Sequence, residues 1–126
     1  MNMKITGFFM SVVMMGLFSC GSEDVNAQNQ LVTQLEWKAL IGKTHNPQIV
    51  DVRTSEEFNE GHLEDAVNID FYENDFMEQM SVLDKDRPVF IYCQSGGRSG
   101  KASDKLFEAG FKQLYDLQGG YSHWEE

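Results

Sequence analysis

The sequence predicts an α/β domain: a parallel sheet with helices over both faces. Three observations carry that prediction. Short apolar runs of strand character alternate along the chain with segments of helical periodicity, the pattern of a parallel sheet joined by crossover helices. The two strongest runs, Gln48-Ile-Val-Asp51-Val52 and Pro88-Val-Phe-Ile-Tyr92, are nearly continuous rather than alternating, as strands buried on both faces are. Finally, 126 residues at 41% hydrophobic and 24% charged make one globular domain, which excludes disordered, collagen-like and low-complexity classes. Two cysteines are too few for a disulfide scaffold. A net charge of −10 repels phosphate backbones and disfavours nucleic acid as a partner.

The N-terminus reads as an address. Lys4 supplies a positive start, and Ile5 to Phe18 is mostly apolar. A membrane-spanning helix needs about 20 such residues, so the run is short for a span and has the length and flanks of a secretory signal. Leu17-Phe18-Ser19-Cys20 resembles a bacterial lipoprotein signal. In that class the cysteine receives a diacylglyceryl group and becomes the new N-terminus. The expectation is therefore a signal peptide over 1–19, a lipidated Cys20 with a polar tether over 20–30, and a domain over 31–126. The protein would be exported and lipid-anchored to a bacterial membrane, facing the periplasm or the cell surface, touching the membrane through the lipid alone. Cleavage would remove Lys4 and no acid, leaving the domain more negative still. Cys93 would then be the only free thiol, and an unpaired thiol in an exported protein needs a reason.

Within the domain, Thr33-Gln-Leu-Glu36 forms a capping box that opens a helix running to Leu40, with Trp37 and Leu40 on one face. Gly42 to Pro47 reads as a loop and Gln48 to Val52 as a buried strand. Thr54-Ser-Glu-Glu57 is a second capping box, opening a short helix that stops at Gly61. Ala66 to Ile69 reads as a short strand. Phe76, Met77, Met80 and Leu83 recur at helical spacing and belong to the core. Pro88 to Tyr92 is the clearest strand. Ser99 to Ala109 is helical, with Ala102, Leu106 and Ala109 on one face and Gly110 as the stop. Gln113 to Leu117 is the last strand. Gly119-Gly120 turns the chain into a short terminal helix carrying Trp124.

One segment concentrates the chemistry: Cys93-Gln94-Ser95-Gly96-Gly97-Arg98-Ser99. A cysteine leaves the end of a buried strand, a short glycine-containing loop follows, and a helix begins at once. In open α/β sheets the ligand site lies beyond the carboxyl ends of the strands, where this loop falls. The helix N-terminus presents unpaired N–H groups and about half a positive charge. Glycines let successive N–H groups converge on one point. A thiol at that point has a lowered pKa and is available as a nucleophilic thiolate. Arg98 adds positive charge nearby. The same cradle suits a terminal sulfur anion or a bound oxyanion.

With these residues in hand, the sequence resembles the rhodanese-like family over most of residues 31–126. Asp51-Val-Arg53, Glu57-Phe58, Gly61-His62-Leu63, Ala66 and Asn68-Ile69 match that family's first signature in order and spacing. Cys93 to Ser99 matches its active-site loop, and Leu117-Gln-Gly119-Gly120-Tyr121 with Trp124 matches its C-terminal signature. The resemblance implies a three-layer α/β/α fold around a five-stranded parallel sheet. It also implies a sulfurtransferase or sulfur carrier. Cys93 would take a sulfane sulfur from a small donor such as thiosulfate or polysulfide, or from a partner persulfide, and pass it to a thiophilic acceptor. Gln94, Ser95, Gly96, Gly97, Arg98 and Ser99 would cradle the persulfide, with Asp51 and Arg53 in support. Four residues separate Cys93 from Arg98, whereas the related cell-cycle phosphatases have five and a wider, phosphate-holding cradle. The competing reading is a non-turnover rhodanese-like module that binds a partner or senses oxidants or sulfide.

The remaining residues read as structural. Arg53 and Glu57, four apart, suit a salt bridge across a helix start. Asp51 at a strand end suits a hydrogen bond to neighbouring backbone, and His62 a structural hydrogen bond. His45 and His123 are isolated, no Cys/His spacing suggests zinc, and no calcium loop is present. No cofactor is implied. Trp37, Trp124 and Phe107 read as core.

Overall fold

The computed structural model describes residues 27–126; the expected signal peptide, the expected lipidation site at Cys20 and the start of the expected tether lie outside them. Five strands form the sheet: β1 (Gln28–Val32), β2 (Gln48–Asp51), β3 (Val67–Asn68), β4 (Val89–Tyr92) and β5 (Gln113–Leu117). Between them run α1 (Gln34–Lys43), α2 (Ser55–Glu60), α3 (Phe76–Met80) and α4 (Gly97–Glu108). The strand order is β1-β5-β4-β2-β3, and every pair is parallel.

Strand pleating splits the core into two layers. Successive side chains of a strand point to opposite faces. Val89, Ile91 and Cys93 therefore join Phe76, Met80, Ala102 and Leu106 on the α3/α4 face. Phe90 and Tyr92 join Trp37 and Leu63 on the α1 face. Trp37 meets Phe90 edge-on at 5.3 Å between ring centroids. Both capping boxes form as read, Thr33 with Glu36 and Thr54 with Glu57. Their side chains satisfy N–H groups that a helix start leaves unpaired.

The structure differs from the sequence reading at five places. Residues 28–30, read as tether, belong to β1, which pairs with β5 from Gln28↔Gln113 to Val32↔Leu117. This edge strand is mostly exposed, so backbone pairing rather than an apolar pattern holds it, and its polar sequence conceals it. Helix α1 continues through Gly42 to Lys43 and ends where Thr44 donates through its N–H to Ile41 O and through Oγ1 to Leu40 O. Helix α4 starts at Gly97, two residues before Ser99, because Gly96 caps it at φ 110°. The terminal helix is a single 3-10 turn, Tyr121–His123, with Trp124 just beyond it. Phe107, expected in the core, is 39% exposed on the outer face of α4. Among the described residues no helix is long and apolar enough to cross a membrane, and no three acidic, His or Cys side chains cluster as for a metal.

Candidate active site

Parallel strands deliver Asp51 from β2, Cys93 from β4 and Leu117 from β5 to one edge of the sheet. Helix α4 begins over that edge. Cys93 is 1% exposed, and its Sγ accepts a hydrogen bond from Gly96 N at 3.0 Å. The N–H groups of Ser95 and Ser99 and the Ser99 hydroxyl also favour the charged form of the sulfur. Burial pushes the thiol up, but these donors together outweigh it, and the thiol lies below its ordinary pKa. Cys93, Ser95, Gly96 and Ser99 are thus brought into one anion cradle. The cradle depends on Gly96, whose left-handed φ of 110° turns its N–H back onto the sulfur.

Asp51 and Arg53 stand beside the loop. Arg53 is 2% exposed and grips Asp51 through Nε (3.0 Å) and Nη2 (2.7 Å). Its remaining donors reach Gly61 O at 2.7 Å and Gln94 Oε1 at 3.0 Å. Its guanidinium lies 4.3 Å from the Tyr121 ring centroid. Gln94 is thereby turned outward to Arg53, so it contributes position to the loop rather than a donor to the sulfur. Asp51 Oδ1 also accepts from Arg53 N at 2.9 Å, the backbone bond expected of it. His62 makes its expected structural bond, Nδ1 with Phe58 O at 3.0 Å, and stacks on the Phe58 ring.

The anticipated Arg53–Glu57 pair does not form. Arg53 is drawn inward to Asp51, and Glu57 takes Arg98 instead, at 2.7 and 3.0 Å to its two oxygens. The reason is topological: the start of α2 and the first turn of α4 meet above the sheet edge. Hydrogen bonding to Arg98, against a smaller opposing effect of burial, pulls Glu57 down to about 2. Arg98 thus closes the loop as a tie to α2, with its charge largely matched by Glu57, while still attracting a Cys93 thiolate. Gly97, also read as cradle, is exposed as the first residue of α4, and a Cβ there would meet nothing within 4 Å.

Sequence reasoning missed the clamp beneath the loop. Tyr121 N donates to Cys93 O at 2.8 Å and Ser122 N to Gln94 O at 3.0 Å. Gly120 must be glycine: φ is 62°, and a Cβ there would stand 2.4 Å from Cys93 O. The Gly119-Gly120 pair was visible as a turn, but nothing in the sequence said what approaches it.

The profile of the rhodanese-like domain matches residues 33–126. The chain belongs to the rhodanese-like family. Among similar rhodanese-like proteins is thiosulfate sulfurtransferase GlpE of Shewanella oneidensis, 37% identical over 98 residues, covering 78% of this chain and 88% of that protein. Another is thiosulfate sulfurtransferase 16 of Arabidopsis thaliana, 41% identical over 85 residues, covering 60% of this chain and 71% of that one. The crystal structure of a rhodanese-like domain protein from Staphylococcus aureus superposes with a TM-score of 0.66 at 29% identity, over 77% of this chain and 92% of that one. The five-stranded parallel sheet between helices is therefore the rhodanese-like fold, as the resemblance implied.

Proposed function

We propose that the protein is a rhodanese-type sulfurtransferase or sulfur carrier working through a persulfide on Cys93. The observation that carries this reading is the buried Cys93 sulfur facing convergent donors from Ser95, Gly96 and Ser99. Such a cradle stabilises a thiolate and, one bond further out, a terminal sulfur anion. The relatives named as thiosulfate sulfurtransferases support it.

With thiosulfate as donor the balance is simple. The Cys93 thiolate attacks the outer sulfur, a Cys–S–S bond forms, and sulfite leaves with the electron pair of the broken S–S bond. A thiophilic acceptor such as cyanide then attacks the terminal sulfur, and the Cys93 thiolate leaves. No external oxidant or proton is consumed over the cycle. Polysulfide or a partner persulfide can enter the same way.

The test is the intact mass of the soluble domain after incubation with thiosulfate or polysulfide. One added sulfur, absent in Cys93→Ala and discharged by cyanide, is the expected result. Retained loading in a folded Cys93→Ala variant would sink the proposal. A folded, reduced wild type that gains nothing from any donor would favour the binding or sensing module instead.

The export reading is part of the proposal. Residues 1–19 act as a lipoprotein-type signal and Cys20 carries the lipid, which places the domain outside the cytoplasm on a membrane anchor. Metabolic labelling with an alkyne fatty acid should tag the wild type and not Cys20→Ser. Equal labelling of both would overturn it.

A further inference from the structure

Between α4 and the edge strand β1, a cleft of about 370 Å³ opens beside Gly96 of the active-site loop. Small side chains build it. Gly96, which caps α4, recurs with Gly100 and Ser103 at spacings of four and three, so the three share one face of the helix. Along β1, Asn29 and Leu31 alternate onto the face that carries their register partners on β5, Leu114 and Asp116. A Cβ at Gly96 would meet nothing within 4 Å, and one at Gly100 would meet only Asp116 Oδ2, at 3.8 Å. Asp104, also on α4, is exposed on the cleft, where its Oδ1 accepts from Asn29 Nδ2 at 2.9 Å.

Two polar groups on this cleft are buried and unsatisfied. Asp116 is 5% exposed and Ser103 is 1% exposed, and neither Asp116 Oδ1 nor Ser103 Oγ has a hydrogen-bond partner. Both residues line the cleft. Buried polar atoms are nearly always paired, and an orphaned one is costly. Charge is unmatched as well: among the described residues no salt bridge includes Asp104 or Asp116. Burial, and then the like charge of Asp104, pushes Asp116 up to about 6. At neutral pH its ionised form therefore prevails, without a salt-bridge partner.

A ligand that answers these groups brings positive charge and hydrogen-bond donors. Calcium takes about six to eight oxygens, and among the described residues no third acidic, His or Cys side chain joins the pair. An ammonium group has three donors and needs only three acceptors, which Asp116, Ser103 and Asp104 supply. Leu31, 61% exposed on the same cleft, gives an alkyl stem an apolar wall.

We propose that the cleft receives a lysine side chain of a partner protein, with its stem along Leu31 and its ammonium between Asp116, Ser103 and Asp104. The net charge of −10 favours a basic partner. The cleft reaches Gly96, whose N–H holds the Cys93 sulfur, so a partner docked there lies beside the loop. Docking of this kind is independent of sulfur transfer.

The experiment is a titration of the full chain with Nα-acetyl-lysine N-methylamide, followed by nitrogen-15 NMR of the backbone amides. No sulfur donor is present, so its failure is distinct from failure of the sulfurtransferase reading. The amides of Leu31, Gly100 and Asp104 should shift saturably. The norleucine analogue, which keeps the stem and lacks the ammonium, should leave them unmoved. Asp116→Asn should weaken binding about tenfold or more, since a buried charge-assisted bond is lost. Asp104→Asn, at an exposed position, should weaken it about threefold. A flat titration means that water satisfies the buried pair, and overturns the proposal. Equal shifts from the norleucine analogue overturn it too, as does unchanged affinity in Asp116→Asn. Should Asp116→Asn not fold, unchanged affinity in Asp104→Asn has the same force. Magnesium chloride and cadaverine are titrated in parallel. Tighter binding of either at the same amides assigns the cleft to a metal ion or a free diamine, and overturns the lysine reading.

Discussion

The Cys93 thiol is acidified by position rather than by identity. A buried thiol in apolar surroundings is ordinarily inert, and burial alone would raise its pKa. Three backbone donors and one hydroxyl reverse that sign here. The residues that hold those donors in place are therefore as sensitive as the sulfur. Gly120→Ala puts a Cβ 2.4 Å from Cys93 O at a left-handed φ of 62°. The loop or the turn must move. Unfolding free energy should fall by about 2 kcal/mol or more, with sulfur loading reduced further than stability explains. Urea denaturation and intact mass on the same samples separate the two. Asp51→Asn leaves the Arg53 guanidinium buried without its counter-charge. Removing one partner of such a pair destabilises by about 3–5 kcal/mol, and a loss below about 1 kcal/mol would show that Arg53 re-pairs elsewhere.

At the scale of elements, the site is a meeting of helix starts. Helix α2 sends Glu57 to Arg98 of α4, while Glu57 also closes its own capping box on Thr54. The folded pKa of Glu57 is depressed from 4.5 to about 2. A depressed acid contributes stability that is present above its unfolded pKa and lost as pH falls through the folded one. The Glu57 contribution should therefore disappear between pH 4.5 and about 2. The pair is partly exposed, so solvent screening limits it to about 1 kcal/mol or less. Asp116 has the opposite sign: its folded pKa rises from 3.8 to about 6, so stability falls as pH climbs through that window. Stability measured against pH should pass through a maximum in mild acid. Glu57→Gln should flatten the acid limb and Asp116→Asn the neutral limb. If each variant left its own limb unchanged, the assignment of those limbs would fail.

Across the whole molecule, β1 and net charge matter most. The rhodanese-like match begins at residue 33, yet β1 covers the outer edge of β5 from residue 28. A chain beginning at 33 exposes the unpaired backbone of β5, an edge that recruits other chains. It should melt roughly 5 °C lower or more and show dimers or aggregates in size-exclusion chromatography, compared with residues 27–126. An identical melting temperature would mean that β1 adds nothing. The net charge of −10 repels anionic donors. With thiosulfate, kcat/KM should rise about twofold or more from low to physiological salt as that repulsion is screened. A flat salt dependence would mean that the field at the loop is decoupled from the net charge.

The sequence by itself determined the alternation of strands and helices, both capping boxes and the stretch from Cys93 to Ser99. Each of these is a local pattern: apolar periodicity, a cap three residues from its partner, a glycine-containing turn between strand and helix. Only the tertiary structure decided that Glu57 belongs to Arg98 and Arg53 to Asp51, since four-residue spacing pairs side chains only within one helix, and Arg53 precedes α2. It alone turned a polar tail into β1, because an edge strand is held by backbone bonds that leave no apolar trace. The same holds for Gly120 under the loop and Asp116 beneath the first turn of α4. Their meaning lies in which strand ends the parallel sheet brings side by side, and non-local contacts of that kind are not written in neighbouring residues.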